Sequence, residues 1–179
     1  MNILDHRLRE ALQIDSPNQD SRADSQAIEL LVIHCISLPP EQFAGDYIDD
    51  LFCNRLNPDE HPYFAEIYQL KVSAHLLIRR DGSLRQYVPF NRRAWHAGVS
   101  CFEGRERCND FSIGIELEGS VNQPYTDQQY HQLAAVTREL MAQYPGITAD
   151  RITGHSDIAP ERKTDPGPFF DWPRYRALL

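Results

Sequence analysis

Three side chains in this sequence have the types and settings that would hold a catalytic zinc ion: His34, His155 and Asp165. Such sites take three protein ligands from His, Asp or Glu and leave a fourth position for water. His34 closes a short apolar run containing Ile28, Leu30, Leu31, Val32 and Ile33. His155 and Asp165 stand ten residues apart in RITGHSDIAPERKTDPGP, Arg151 to Pro168. Pro160, Pro166 and two glycines can bend that segment until the pair converges, and a strand edge and a loop commonly share the ligands of a cleft. With Lys163 to Asp165 extended, both side chains share a face, which sets an ammonium beside the ligand, where it can stabilise an oxyanion. Glu116, in FSIGIELEG, adds a carboxylate able to take a proton from activated water. Metal, water, base and electrophile together compose a hydrolase.

Each residue also has a plainer role. His34 suits a hydrogen-bonded core histidine equally well, His155 a loop tie, and Asp165 before Pro166 a turn initiator. Glu116 and Glu118 fit a solvated strand face, and Lys163 a surface charge. Cys35 invites a thiol-nucleophile reading, but consecutive strand residues face opposite ways, so it and His34 do not readily share one site. His75 is the substitute should His34 fail, or a supporting or core histidine. The stretch Asn91 to Phe111 gathers Arg92, Arg93, Arg105 and Arg107, forks for the carboxylates of an anionic peptide, with Trp95 offering a flat face to a sugar. Surface ion pairs around one anchoring tryptophan would explain the same residues.

The elements that must position these groups follow from periodicity. The branched run before His34 reads as a buried strand, stopped by Pro39 and Pro40. DYIDDLFCNRL spaces Ile48, Leu51, Phe52 and Leu56 as a helix would. VSAHLLI and LRQYV flank Asp81-Gly82 as an antiparallel hairpin. FSIGIELEG alternates, placing Phe111, Ile113, Ile115 and Leu117 on one face and Ser112, Gly114, Glu116 and Glu118 on the other. A capping box at Thr126 opens a long helix with Tyr130, Leu133, Ala134, Thr137, Leu140, Met141 and Tyr144 on one stripe and His131 off it. The order β, α, β, β, β, α, followed by a long tail, predicts an α/β domain with a central mixed sheet flanked by helices.

Composition bounds the function. The chain's 179 residues fit a single domain, 1–179, with a polar N-terminal segment over about 1–26. A net charge of −8 argues against nucleic acid or an anionic membrane as partner. No stretch has the apolar length of a signal peptide or a membrane span, and four dispersed cysteines read as reduced thiols, which points to the cytoplasm. A monomer is expected.

LLVIHCISLPP, EHPYF, VSAHLLIRRDG, RAWHAGVS, GRERCNDFSIGIELEG, YTDQQYHQLAAVT and GHSDIAPERKTDPGP, in this order, resemble the cytoplasmic 1,6-anhydro-N-acetylmuramyl-L-alanine amidases of Gram-negative bacteria. These belong with the zinc N-acetylmuramoyl-L-alanine amidases related to peptidoglycan recognition proteins and T7-type lysozyme. The resemblance implies zinc on His34, His155 and Asp165, Glu116 as base and Lys163 as transition-state stabiliser. It implies a muropeptide substrate cut between the lactyl group of the anhydromuramic sugar and L-alanine, with Arg107 and Lys71 on stem-peptide carboxylates and Trp95 beside the sugar. Such muropeptides signal β-lactamase induction in many of these bacteria, which would link the activity to antibiotic resistance. Two departures stand out: the family's H-N-I-S-L-P-P has Cys35 at its substrate-binding Asn, and its H-C-[DN]-I-A-P appears with Ser156. A non-catalytic muropeptide-binding module is the rival, disfavoured by the presence of Asp165; a structural zinc would need a fourth protein ligand.

Overall fold

The apolar run that ends at His34 becomes an interior strand of a six-stranded sheet. In the computed structural model, which describes residues 1–23 and 28–179, the chain opens with β1 (Ile3–Leu4), β2 (Arg7–Leu8), β3 (Leu12–Gln13) and β4 (Gln19–Ser21), followed by β5 (Leu30–Ile36). Then come α1 (Tyr47–Phe52), α2 (Pro62–Ile67), β6 (Leu76–Ile78), β7 (Leu84–Gln86), β8 (Arg92–Ala94), β9 (Cys101–Phe102), β10 (Arg105–Glu106) and β11 (Ser112–Glu118). The chain closes with α3 (Asp127–Gln143), β12 (Ile152–Gly154), α4 (His155–Ile158) and α5 (Trp172–Ala177). The sheet order is β12-β5-β11-β6-β7-β3, all neighbours parallel except β6 with β7, so the predicted mixed sheet is present.

Both faces of the sheet are covered, which removes any solvated face from β11: all seven of its residues are buried. On one side Leu31, Ile33, Ile113, Ile115 and Leu117 pack against Tyr130, Leu133, Ala134 and Leu140 of α3 and Tyr175 of α5. On the other, Leu77 and Tyr87 meet Ile48, Leu51 and Phe52 of α1 and Phe64 of α2. Phe111 departs from the expected alternation. Its ψ of 10° takes it out of the extended strand, and it packs with Leu30 and Val32 on the face opposite Ile113.

The hairpin and the long helix form as predicted. Gly82, at φ +83°, supplies the left-handed residue of the turn between β6 and β7. At Thr126 the hydroxyl accepts from Gln129 N–H (3.1 Å) while the Gln129 side chain accepts from Thr126 N–H (3.1 Å). Two differences are larger. The N-terminal segment is built into the fold: β3 edges the sheet, β4 pairs with β8, Leu8 is fully buried, and Asn18 reaches the carbonyls of Phe52 and Val72. Its polar residues serve as internal hydrogen-bonding groups, which composition alone cannot distinguish from a solvated leader; Asp24, Ser25 and Gln26 of that stretch lie outside the described residues. The tail, expected as a long irregular segment, contains β12, α4 and α5; a three-residue strand is too short to show a period.

The Thr126 hydroxyl also donates to the Arg80 carbonyl (2.8 Å), tying the start of α3 to the hairpin. Thr126→Ala should therefore cost about 1–2 kcal/mol, the upper part of the range for an N-cap, read as a lowered urea midpoint with an unchanged m-value.

Candidate active site

Parallel pairing brings the site together at the carboxyl ends of three strands. Glu116 of β11 stands level with His34 of β5, and Gly154 of β12 level with Ile33, so His155, one residue on, reaches the same level as His34. The sequence placed His155 in a bent loop; it is the first residue of α4, directly beyond a buried strand. Asp165 returns on the loop after α4, where Ser156 N–H donates to its carbonyl (2.9 Å). The Tyr125 hydroxyl donates to the carbonyl of the next residue, Pro166 (2.8 Å). Tyr125 itself lies against Gly119, where a Cβ would come within 2.6 Å of its ring. The Asp165 loop is thus fastened on both sides.

The three predicted ligands converge. His34 Nδ1 and His155 Nδ1 are 2.9 Å apart, and each lies 3.1 Å from Asp165 Oδ2. Among the described residues these three form the group able to hold a metal ion. Ligand atoms around a tetrahedral zinc with bonds of about 2.0–2.1 Å sit about 3.3 Å from one another, so the spacing fits such an ion. His155 Nε2 faces the Ala97 carbonyl at 3.2 Å. A carbonyl only accepts, so that nitrogen carries the proton and Nδ1 is a bare lone pair, as a metal ligand must be. Both histidines are almost fully buried, and burial lowers the pKa of His34 to about 4, keeping it neutral.

Glu116 lines the same cleft, which encloses about 440 Å³ together with His34, His155, Asp165, Lys163 and Trp95. Its Oε2 is buried and has no hydrogen-bond partner. Burial, and then the charge of Asp165, push its pKa well above the usual carboxylate range, while the Lys163 ammonium opposes them. Two residues on, Glu118 is as buried but saturated, accepting from Ala44 N–H (2.8 Å), Arg79 Nε (3.1 Å) and Arg80 N–H (3.0 Å). Neither carboxylate belongs to a solvated face. Lys163 is exposed at the rim and Trp95 forms wall, its indole Nε1 buried without an acceptor.

The remaining predicted residues lie further out. Cys35 borders the cleft, but its thiol is partly buried against the α3-side core next to Tyr125, and burial pushes its pKa up to about 12. That environment suppresses thiolate chemistry. Lys71 is exposed beside the lining residues Leu70 and Val72. Arg107 is exposed, paired with Asp110 at 3.2 Å, and borders a neighbouring hollow with Arg162 and Cys101. Arg93 is taken up by Asp20 and Asp110. His131 is exposed, as its helical position predicts.

His75 is a fully buried core histidine: Gly114 N–H donates to its Nδ1 (3.0 Å) and its Nε2 lies 3.0 Å from the Arg92 carbonyl. Sequence reasoning passed over His96, whose Nδ1 lies 2.9 Å from His34 Nε2. The available signal was Gly114, a glycine inside a strand of branched residues, which marks close approach of another group. A Cβ there would come within 2.5 Å of the His96 ring.

Fold and cleft together define the class, a mixed-sheet α/β hydrolytic enzyme. The chain belongs to the N-acetylmuramoyl-L-alanine amidase family, whose model matches residues 24–168. It is 64% identical over 172 residues to the 1,6-anhydro-N-acetylmuramyl-L-alanine amidase AmpD of Salmonella typhimurium strain SL1344, covering 96% of this chain and 91% of that protein. A crystal structure of a selenomethionine derivative of AmpD superposes with a TM-score of 0.98 at 60% identity, covering 100% of this chain and 99% of that one. The Escherichia coli amidase AmiD, in complex with anhydro-N-acetylmuramic acid-L-Ala-D-gamma-Glu-L-Lys, superposes with a TM-score of 0.62 at 30% identity, covering 89% of this chain and 60% of that one.

The burial of His75 has a consequence for acid stability. Burial, then the charge of Arg22, lowers its folded pKa to about 3, below an unfolded value of about 6.5. Above pH 6.5 both states are neutral there and the group contributes nothing to the pH dependence. As pH falls from 6.5 towards 3 the unfolded chain binds a proton that the folded one refuses, and stability is lost. Between pH 7 and pH 5 wild type should lose about 2 kcal/mol more than His75→Asn, measured by urea unfolding at the two pH values.

Proposed function

We propose that this protein is a zinc-dependent amidase that hydrolyses the bond between the lactyl group of 1,6-anhydro-N-acetylmuramic acid and L-alanine in anhydromuropeptides. The observation that carries the proposal is the meeting of three metal-competent atoms, 2.9–3.1 Å apart, in the cleft that also holds the unpartnered Glu116 Oε2. Two findings support the substrate: the name of the 64% identical relative and the muropeptide bound to AmiD. His34, His155 and Asp165 would hold the zinc. When bound, zinc supplies a Lewis acid that polarises a carbonyl and acidifies water.

The chain's own residues do the rest. Glu116 takes the proton of the attacking water through its unpartnered oxygen, and its raised pKa suits it to hand that proton to the departing amide nitrogen. Lys163, at the rim of the cleft, balances the negative charge that develops on the carbonyl oxygen. Trp95 forms the wall against the sugar, while two exposed cations, Lys71 and, on the neighbouring hollow, Arg107, receive carboxylates of the stem peptide. Cys35, a thiol facing the core, supplies no amide to the substrate. In this reading the enzyme is a cytoplasmic monomer of cell-wall recycling that lowers the muropeptide signal for β-lactamase induction; no nucleic acid or membrane takes part. Among the described residues no helix is long and apolar enough to cross a membrane.

Incubation of zinc-loaded protein with an anhydromuramyl tripeptide should release free peptide by mass spectrometry; intact substrate would overturn the proposal. Glu116→Gln should lower kcat by at least about 10²–10⁴-fold while retaining zinc. Asp165→Ala should lose both zinc and activity, and a chelator should abolish turnover until zinc is restored.

A further inference from the structure

We propose that His96 is a positioning residue that fixes the proton of His34 on Nε2 and thereby keeps Nδ1 free for the metal. The inference rests on the zinc reading above and concerns residues which that reading leaves without a role. A chain of four groups runs from the ligand into the core. His34 Nε2 lies 2.9 Å from His96 Nδ1, His96 Nε2 lies 3.1 Å from Ser112 Oγ, and Ser112 Oγ donates to the Cys108 carbonyl at 2.6 Å.

The direction of that chain is fixed at its far end. A carbonyl oxygen has no proton, so the single hydroxyl proton of Ser112 goes to Cys108 and Oγ must accept from His96. His96 therefore carries its proton on Nε2 and offers Nδ1 as an acceptor. His34 must in turn donate from Nε2, which leaves Nδ1 bare. His155 reaches the same state more simply through Ala97. Without His96, the His34 proton has a better place: on Nδ1, where Asp165 Oδ2 accepts it at 3.1 Å. A proton there occupies the position of the metal.

Three neighbours hold His96 in register. Its backbone N–H donates to Asn109 Oδ1 (3.1 Å), Ser112 receives the far ring nitrogen, and Gly114 leaves room for the ring across β11. Arg22 is buried beside this cluster, donating to the Ser112 carbonyl at 2.6 Å. The arrangement holds the polarity of the chain with an uncharged partner on the Nε2 of each histidine, His96 for His34 and the Ala97 carbonyl for His155.

The test has two readouts. In metal-free wild type, ¹⁵N NMR of the ring nitrogens should show His34 as the Nε2–H tautomer; in His96→Ala the Nδ1–H form should gain population. The zinc Kd of His96→Ala should rise by about 10–100-fold, and that of Ser112→Ala should rise in the same direction by less. His96→Asn, whose amide oxygen takes roughly the place of Nδ1, should restore the tautomer and most of the affinity. A folded His96→Ala with His34 still Nε2–H and zinc Kd within twofold of wild type would overturn the inference, as would an Nδ1–H tautomer in wild type. Should His96→Ala fail to fold, Ser112→Ala and the wild-type tautomer decide the question. Wild-type protein that binds no zinc would overturn the proposed function, while the tautomer measurement would still judge the role of His96.

Discussion

The parallel pairing of β5 with β11 on one side and β12 on the other is the constraint from which the site follows. Parallel strands end at one level, and here that level carries His34, Glu116 and, one residue beyond β12, His155. Two potential ligands and an acid are thus set in place by backbone hydrogen bonds, with both faces of the sheet packed behind them. Only Asp165 and Lys163 arrive on a loop, and that loop is held by Ser156 and Tyr125. Convergence of atoms to 2.9–3.1 Å needs that rigidity, because flexible segments do not keep three acceptors in mutual contact distance.

The polar groups around the three candidate ligands are held as firmly as the core. His34 leans on His96 and Ser112, His155 on Ala97, and His75 on Gly114 and Arg92, so the buried imidazoles are anchored by partners inside the domain. Glu116 and Trp95 each keep a buried polar atom free of partners, and both border the cleft. In a protein whose other buried acids are hydrogen-bonded, such as Glu118 and Asp49, a free carboxylate oxygen marks the place where an outside group completes the set.

Much of this was legible in the sequence where a period or a cap carries it. The run ending at His34, the hairpin around Asp81-Gly82, the strand through Glu116 and the helix from Thr126 all form. The core stripe of α3 was read almost residue by residue, since an amphipathic helix of 17 residues repeats its pattern several times. β12 and the N-terminal strands escaped because two or three residues have no period, and their pairing depends on partners distant in the chain. Of the site, the ligand types and Glu116 could be named from chemistry and from resemblance. His96 could not, because nothing in RAWHAGVS separates a ring that touches His34 from one that faces solvent; the sign lay in Gly114, on another strand. The burial of Glu116 and Glu118 also lay beyond alternation, which gives the face of a strand but not what covers it.

Glu118 shows what such burial means for movement. One carboxylate receives the backbone of the β5–α1 loop at Ala44, the backbone of the hairpin at Arg80 and the Arg79 guanidinium, while its own main-chain carbonyl takes the Gln129 amide of α3. The loop that borders the cleft is therefore clamped to the hairpin and the helix through a single buried group. Any widening of that border shifts three elements at once or breaks a charged hydrogen bond away from water, so this rim of the cleft behaves as one stiff bracket instead of a set of independent flaps.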